Sequence, residues 1–566
     1  MFKKSDKHKQ LDVFSSPIEY LKTSPMNYYL KNDSWHNQFR KQVVMRIDES
    51  LFSVLYTELT GAPNASIRVL IGMMILKEAH GWSDEQLFES CNFNLLTRSA
   101  LGLMRLDDAV PVASTYYLFR RNLVMYNKEH GIDLYKTCQD QLTASQLLEF
   151  NVSGKQVRMD SKLLGSNIAW LSRYELIHET LRQFILQTQE SIYKKSLSKE
   201  ELSLIESILQ ETGNKVVYRS TKSEIDERLI ALGKLMHRLL LVFKSTHYSQ
   251  HTTLKTVFEQ QYSVSKDKLV LPVEKEKIDA KSIQSPHDVD AHYRNKDGNK
   301  VKGFSVNVTE TCDQPGEDDK PVLNLITDVQ VDVVSTQDMD YVQTSLANTQ
   351  KIVPHKIEKS YADGAYHSTD NQEYCQNNDI HLLLSAMQGA KPRYAIKLDE
   401  QDNNKLLVTD NKTNQVIESQ EVNTRKDPKQ KKWKIKTEEG VYRYFDMKSV
   451  QAAALRQKLK DIPIEETTIR NNVEATIFQL GYHYSNDKSQ YRGLAKHKLW
   501  AYSQTLWINF VRIRNYLMQL CQYRLSGQKS TNNLVKIGYK IQLSIVAFAA
   551  KIMTTKNPKI IHYSTF

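Results

Sequence analysis

Residues 360–368 read SYADGAYHS. The β-prone stretch HKIEK leads into them, and a polar run suited to opening a helix follows. Asp363 therefore stands at the mouth of a strand. An unpaired carboxylate there is costly to desolvate. Asp-Gly is also a common turn pair, so these nine residues alone leave a plain turn and a functional acid both open.

The neighbouring segments supply a context. Upstream, KQVRMDSKLL (155–164) reads as a strand ending at Asp160, and GFSVNVTETC (303–312) and PVLNLITDVQVDVV (321–334) read as two more. STQDMDYVQTSLANTQKI (335–352) has helical character with Asp338 as a possible cap. STDNQEYCQNND (368–379) is a polar helix and IHLLLSA (380–386) a short buried strand. Two stretches interrupt this order. Residues from about 170 to 275 form long amphipathic helices, and the charged, alternating text from about 391 to 450 reads as an inserted antiparallel sheet. Without them the order is three strands, then helix, strand, helix, strand, helix. Three meandering antiparallel strands followed by parallel crossovers give the order of an α/β RNase H-like core, a mixed five-stranded sheet flanked by helices.

Ahead of this core the pattern is helical. SIRVLIGMMILKEAHGW (66–82) repeats its apolar positions at helical spacing, and SDEQLFESCNFN (83–94) opens on the N-cap pair Ser83 and Asp84. VPVASTYYLFRRNLVMYN (110–127) predicts a helix capped by Ser114 or Thr115 and carries Arg120 and Arg121. Short helices with paired arginines suit a DNA-binding module as well as they suit a plain bundle. The expected organisation is an irregular lead over 1–40 and an all-α DNA-binding domain over 41–150. The first part of the core follows over 151–390, with its helical insertion. A β-rich insertion covers 391–460, and 461–566 returns to the core with basic helices.

The chain has 566 residues, enough for two or three domains, with 40% hydrophobic and 25% charged residues. Its net charge of +12 points to a polyanionic partner. Five scattered cysteines without a C-x-x-C pair argue against a structural zinc site or a disulfide framework. No apolar segment follows the basic start, and IQLSIVAFAAKIM (541–553) is too short and interrupted to span a bilayer. The expectation is a cytoplasmic protein without a membrane partner.

In an RNase H-like sheet the first and fourth strands lie side by side, which brings Asp160 and Asp363 together. A third acid can come from a late helix. IRNNVEATIFQLGYHY (469–484) offers Glu474, with Arg470 one turn earlier on the same face. Glu310, Glu465 and Glu466 are rival acids, although Glu310 reads better as a sheet-surface residue or a supporting partner, and Asp288 and Asp290 fit a loop better. Three converging carboxylates repel one another unless divalent cations neutralise them. Magnesium, or manganese, prefers such oxygen ligands, and two ions suit phosphodiester cleavage. Arg470 could grip a phosphate or pair with an acid. Tyr491, Arg492, Lys496 and Lys498 suit a DNA backbone or flipped base. TRKDPKQKKWKIK (424–436) fits an exposed hairpin, or a stretch along DNA with Trp433 against a sugar or base. His292, His367 and His497 lack ligand spacing.

These motifs together resemble the DDE transposases of bacterial insertion sequences. VRMDSKLLGSNIA, YADGAYHS and the R-x-x-x-E at Arg470 and Glu474 are similar to that family's three acid stretches, in order. SPHDVDAHYRNKDGNKVKGFSVNVTET resembles the lead into its second strand, and YRGLAKHKLWAYSQTLWINFVRI its closing basic helix. The helical text over 47–89 and STYYLFRR resemble its N-terminal domain, so the likeness spans roughly 45 to 515. It implies metal-dependent cleavage at terminal inverted repeats, strand transfer into target DNA, and a homodimeric synaptic complex. Thr467 and Gly481 stand where related cut-and-paste enzymes carry Tyr and Lys, a departure that touches phosphate handling. Another nuclease on the same core, or a non-catalytic DNA-binding descendant, are the alternatives; substituting Asp363 separates them.

Overall fold

The computed structural model describes residues 1–4, 17–58, 60–243, 249–267, 269–296, 298–316, 320–385, 392–399, 405–422, 432–437, 439–460 and 463–527. Most of the 424–431 run and the apolar stretch 541–553 lie outside the described residues, as does everything beyond 527. The chain divides into two units. The larger joins residues 1–313 with 323–512; the smaller comprises 314–322 and 513–566 and is described only over short loop pieces and the end of one helix.

The N-terminal region is helical because apolar runs are punctuated by caps. Helix α1 (Ile67–His80) begins where Ser66 accepts from the Val69 N–H and ends at Gly81, whose φ of +63° suits glycine. Every residue from Ile67 to Lys77 is buried. Helix α2 (Asp84–Phe93) starts with a capping box between Ser83 and Gln86. Helix α3 (Ala113–His130) starts one turn-position before the expected caps: Val112 occupies the N-cap without a side-chain bond, and Ser114 is already inside the helix. Helix α4 (Leu134–Glu149) is capped by Asp133.

The central sheet is mixed. Its strands are β1 (Gln156–Gly165), β2 (His292–Lys296), β3 (Asn299–Thr311), β4 (Ile326–Val333), β5 (Lys359–Ala362) and β6 (His381–Leu384). β3 lies antiparallel to β1, β2 and β4, while β5 runs parallel to both β1 and β6. The path β4–β3–β1–β5–β6 has β2 as a sixth strand on the first half of β3, one more strand than the sequence led us to expect. β1 also runs five residues past Asp160, because β3 pairs with it from Val157 to Gly165. Phe304 to Thr311 of β3 are all buried, as befits a strand covered on both faces.

Helices α5 (Val342–Ile352) and α6 (Thr369–Asn377) follow β4 and β5. Between β6 and the last helices lies a small sandwich: β7 (Tyr394–Leu398), β8 (Leu406–Asp410) and β9 (Val416–Glu418) form one sheet, and β10 (Gln420–Val422), β11 (Lys432–Lys436) and β12 (Tyr442–Asp446) the other. Leu406, Val408, Trp433, Ile435 and Val450 fill it. Helices α7 (Met447–Lys460), α8 (Ile464–Leu480) and α9 (Leu494–Gly527) complete the described chain. Residues 173–261 form a separate group of helices around Ile177, Phe184, Leu232 and Met236.

One continuous hydrophobic cluster joins α1–α4, β1, β3, β4 and the first half of α9. At the sheet edge, the Asn509 side-chain amide donates to the Ile326 carbonyl and accepts from its N–H, both at 2.8 Å. Among the described residues, no helix is long and apolar enough to cross a membrane. Among the described residues, the five cysteines form no disulfide.

Candidate active site

The site grows from the pairing of β1 with β5. Gln156, Val157 and Arg158 lie against Lys359, Ser360 and Tyr361. Asp160 lies two residues past the last of these pairs, midway along β1, and Asp363 follows directly on the carboxyl end of β5. In open α/β sheets that end is where ligands bind. Asp363 caps the short turn Gly364–Tyr366 through its own Gly364 N–H, so turn geometry and a functional position coincide in this acid.

Asp160 accepts from the Ser161 N–H at 2.9 Å and from an Arg470 Nη2 donor at 2.8 Å. Burial raises its pKa above the ordinary carboxylate value. Arg470 and the Ser161 N–H pull it down, and the charges of Asp363 and Asp338 push it up. Asp363 is thus close enough to be felt electrostatically. Arg470 also donates from Nη1 to Glu474 at 3.2 Å, so one guanidinium links two of the three acids. Glu474 remains 62% exposed at its side chain. Among the described residues, no three acidic, histidine or cysteine side chains stand close enough together to hold a metal ion as placed. Arg470 links Asp160 with Glu474, and Asp363 acts on Asp160 through its charge.

Helix α8 is pinned beneath this point by charges the sequence reading treated lightly. Glu310, fully buried on β3, pairs with Arg158 of β1 at 2.6 Å and with Arg512 of α9 at 2.7 Å, and accepts from the Thr476 hydroxyl of α8 at 2.8 Å. Burial alone would raise its pKa. Arg512, Arg158 and Thr476 outweigh burial, and the net displacement is downward. Arg158 further donates to the Ile469 carbonyl of α8 at 2.9 Å, and Lys359 of β5 pairs with Glu466 at 2.8 Å. The signal was present in the text: an arginine and a glutamate each sit inside a strand that is otherwise buried, where such charges survive only in pairs. Asp338, expected as a helix cap, instead accepts from the Ser161 hydroxyl at 2.7 Å beside Asp160. Asp288 accepts from Ser166 and from the Gly493 N–H, which is a loop-fastening role.

The basic candidates separate by exposure. Arg121, Arg492 and Lys496 are exposed and Lys498 is half-buried, although Arg492 spends its Nε on the Asn167 carbonyl at 2.7 Å. Arg120 is half-buried with its guanidinium 5.4 Å from the Tyr116 ring centroid. Tyr491 is buried and its hydroxyl donates to Glu78, so its ring packs inside the protein rather than against a DNA backbone or a flipped base. Trp433 likewise fills the sandwich core, which excludes the expected contact with a sugar or base. His497 is buried between Ser489 and the Gly493 carbonyl.

Residues 29–122 match the family model described as "Transposase domain (DUF772)". The matched segment takes in α1, α2 and the first half of α3. No curated protein matches the chain. Among solved structures, the cryo-EM structure of a piggyBac transposase synaptic complex with hairpin DNA is similar at 8% identity and a TM-score of 0.28. That alignment covers 96% of this chain and 85% of the other. At that score the likeness carries no argument about fold or function.

Proposed function

We propose that the protein is a DNA transposase of the DDE kind, built on an RNase H-like core, with Asp160, Asp363 and Glu474 as its catalytic acids. The observation that carries this reading is the parallel pairing of β1 and β5, whose register, extended two residues, would bring Asp160 and Asp363 together beside the carboxyl end of β5. The sheet path, antiparallel through β4, β3 and β1 and parallel through β5 and β6, supports the fold assignment. The transposase-domain match over residues 29–122 supports the activity.

The donor set is entirely carboxylate oxygen, which suits magnesium or manganese. Two such ions between Asp160, Asp363 and Glu474 would supply Lewis acidity toward a scissile phosphodiester. The chain's own groups do the rest. Arg470 donates to both Asp160 and Glu474, and its planar fork is of the kind that grips a phosphate. Arg121, Arg492, Lys496 and Lys498 would meet duplex phosphates at terminal inverted repeats and in target DNA. Two copies in a synaptic complex would cut and join both ends.

The test uses labelled duplexes taken from the DNA flanking the gene. Asp363→Asn should abolish magnesium-dependent cleavage of these ends while binding stays within about twofold of the parent. A variant that still cuts removes Asp363 from the site.

A further inference from the structure

The sandwich between β6 and α8 carries a surface that the cleavage chemistry leaves unused. In its second sheet, Lys434 pairs with Gln420 on one side and Tyr444 on the other, Lys432 with Val422 and Asp446, and Lys436 with Tyr442. Alternation along each strand divides the faces. Trp433, Ile435 and Phe445 turn into the sandwich core. The opposite face therefore presents Lys432, Lys434, Lys436, Tyr442 and Tyr444. Tyr442 is 51% exposed and Tyr444 63%, large values for aromatic rings. The Lys434 ammonium lies 5.4 Å from the Tyr442 ring centroid. Asp446, an acid on this face, accepts from the Ser449 N–H at 2.8 Å and from its hydroxyl at 2.7 Å, and it also feels the charge of Lys432 opposite.

We propose that this face binds an unpaired DNA strand, with bases stacking on Tyr442 and Tyr444 and phosphates paired with the three lysines. A duplex hides its base faces, so open rings on a flat sheet gain little from it. A strand with splayed bases offers each ring a π-face whatever its sequence. Alternate residues of a strand lie roughly 6.6 Å apart, comparable with the step between neighbouring phosphates of an extended chain. A protein partner fits less well, because lysine is depleted from the buried parts of protein interfaces and, among the described residues, Val422 is the one aliphatic side chain that the strand pairing puts on this face. The inference rests on the proposed function only in taking the polynucleotide to be DNA. The sandwich is strung in sequence between Asp363 and Glu474, so a strand freed near those acids has this surface in the same excursion of chain.

The experiment measures anisotropy of a labelled 20-nucleotide oligothymidine, and of a duplex of equal length, with the full chain in metal-free buffer. Tyr442→Ala with Tyr444→Ala should weaken oligothymidine binding about 10-fold or more, since each stacked base contributes on the order of a 10-fold factor. Duplex binding should stay within about twofold. Tyr442→Phe with Tyr444→Phe should bind as the parent does, because stacking needs the ring and not the hydroxyl. Lys434→Glu should weaken oligothymidine binding and flatten its salt dependence. An alanine pair that holds oligothymidine as tightly as the parent overturns the proposal, and so does an equal loss on the duplex. Tighter binding of oligouridine than of oligothymidine overturns the DNA assignment. These readouts need no cleavage, so failure of the catalytic reading and failure of this surface are separately visible.

Discussion

Glu310 illustrates how a charge persists in the middle of a sheet. It has no exposure, yet two guanidiniums and a hydroxyl meet its carboxylate. Removing one partner of such a group leaves the others buried without compensation, which typically costs about 3–5 kcal/mol. Glu310→Ala should therefore lower the denaturation midpoint markedly, by an amount of that order in a chemical melt. Because the folded pKa of Glu310 is depressed, its stabilising contribution is present above the unfolded carboxylate pKa and is lost as pH falls through the folded value. The sequence named Glu310 as a rival acid, and more readily as a sheet-surface residue or supporting partner; its burial rules out the surface, and its partners Arg158 and Arg512 lie so far apart along the chain that only the fold reveals that they meet. Asp363 was legible for the opposite reason, since strand, acid and turn are contiguous. Trp433 was misread because a basic neighbourhood says nothing about which face of a strand a side chain takes.

At the scale of elements, the long contact between β1 and β3 depends on a residue without a side chain. A Cβ on Gly303 would lie 2.2 Å from the Leu164 carbonyl oxygen and 2.7 Å from the Ser166 nitrogen, both backbone atoms of the neighbouring strand. Gly303→Ala should therefore force the strands apart beside the site and reduce soluble, folded yield sharply; wild-type melting in that variant would show that the strand can shift at little cost. Ser83→Ala, by contrast, deletes one capping box and should cost only about 1 kcal/mol in the same melt. Helix periods and caps were readable because they are local. The extension of β1 beyond Asp160 was not, since it is imposed by β3, and neither was the start of α3 at Ala113, where Val112 occupies the N-cap without a side-chain bond.

Across the molecule, Glu78 is one of the points where the N-terminal helices meet α9 and the segment leading into it. The Tyr491 hydroxyl donates to Glu78 of α1, and the Gln504 amide donates to the Glu78 carbonyl at 2.9 Å. Burial raises the Glu78 pKa to about 7, against the lowering influence of Tyr491, Lys77 and Arg120. A raised acid favours the folded state when protonated, so this contact is most stabilising below the unfolded pKa and weakens as pH rises through about 7. Glu78→Gln should flatten that part of the stability profile between pH 5 and 8, by at most on the order of 3 kcal/mol, with the largest gain at the alkaline end. A profile unchanged by the substitution would place the titration elsewhere. The net charge of +12 belongs to the same scale: duplex affinity should fall steeply with added salt, about 1,000-fold over a fourfold rise if roughly six phosphates are contacted.

Asn509 has a different kind of consequence. Its amide occupies both hydrogen-bonding positions of Ile326 at the start of an outermost strand, so a foreign strand arriving there finds no free lattice to extend. One planar side chain thereby guards against unwanted polymerisation of neighbouring copies. Asn509→Leu would leave that backbone bare, and light scattering of a concentrated sample should rise on standing before any loss of secondary structure is seen.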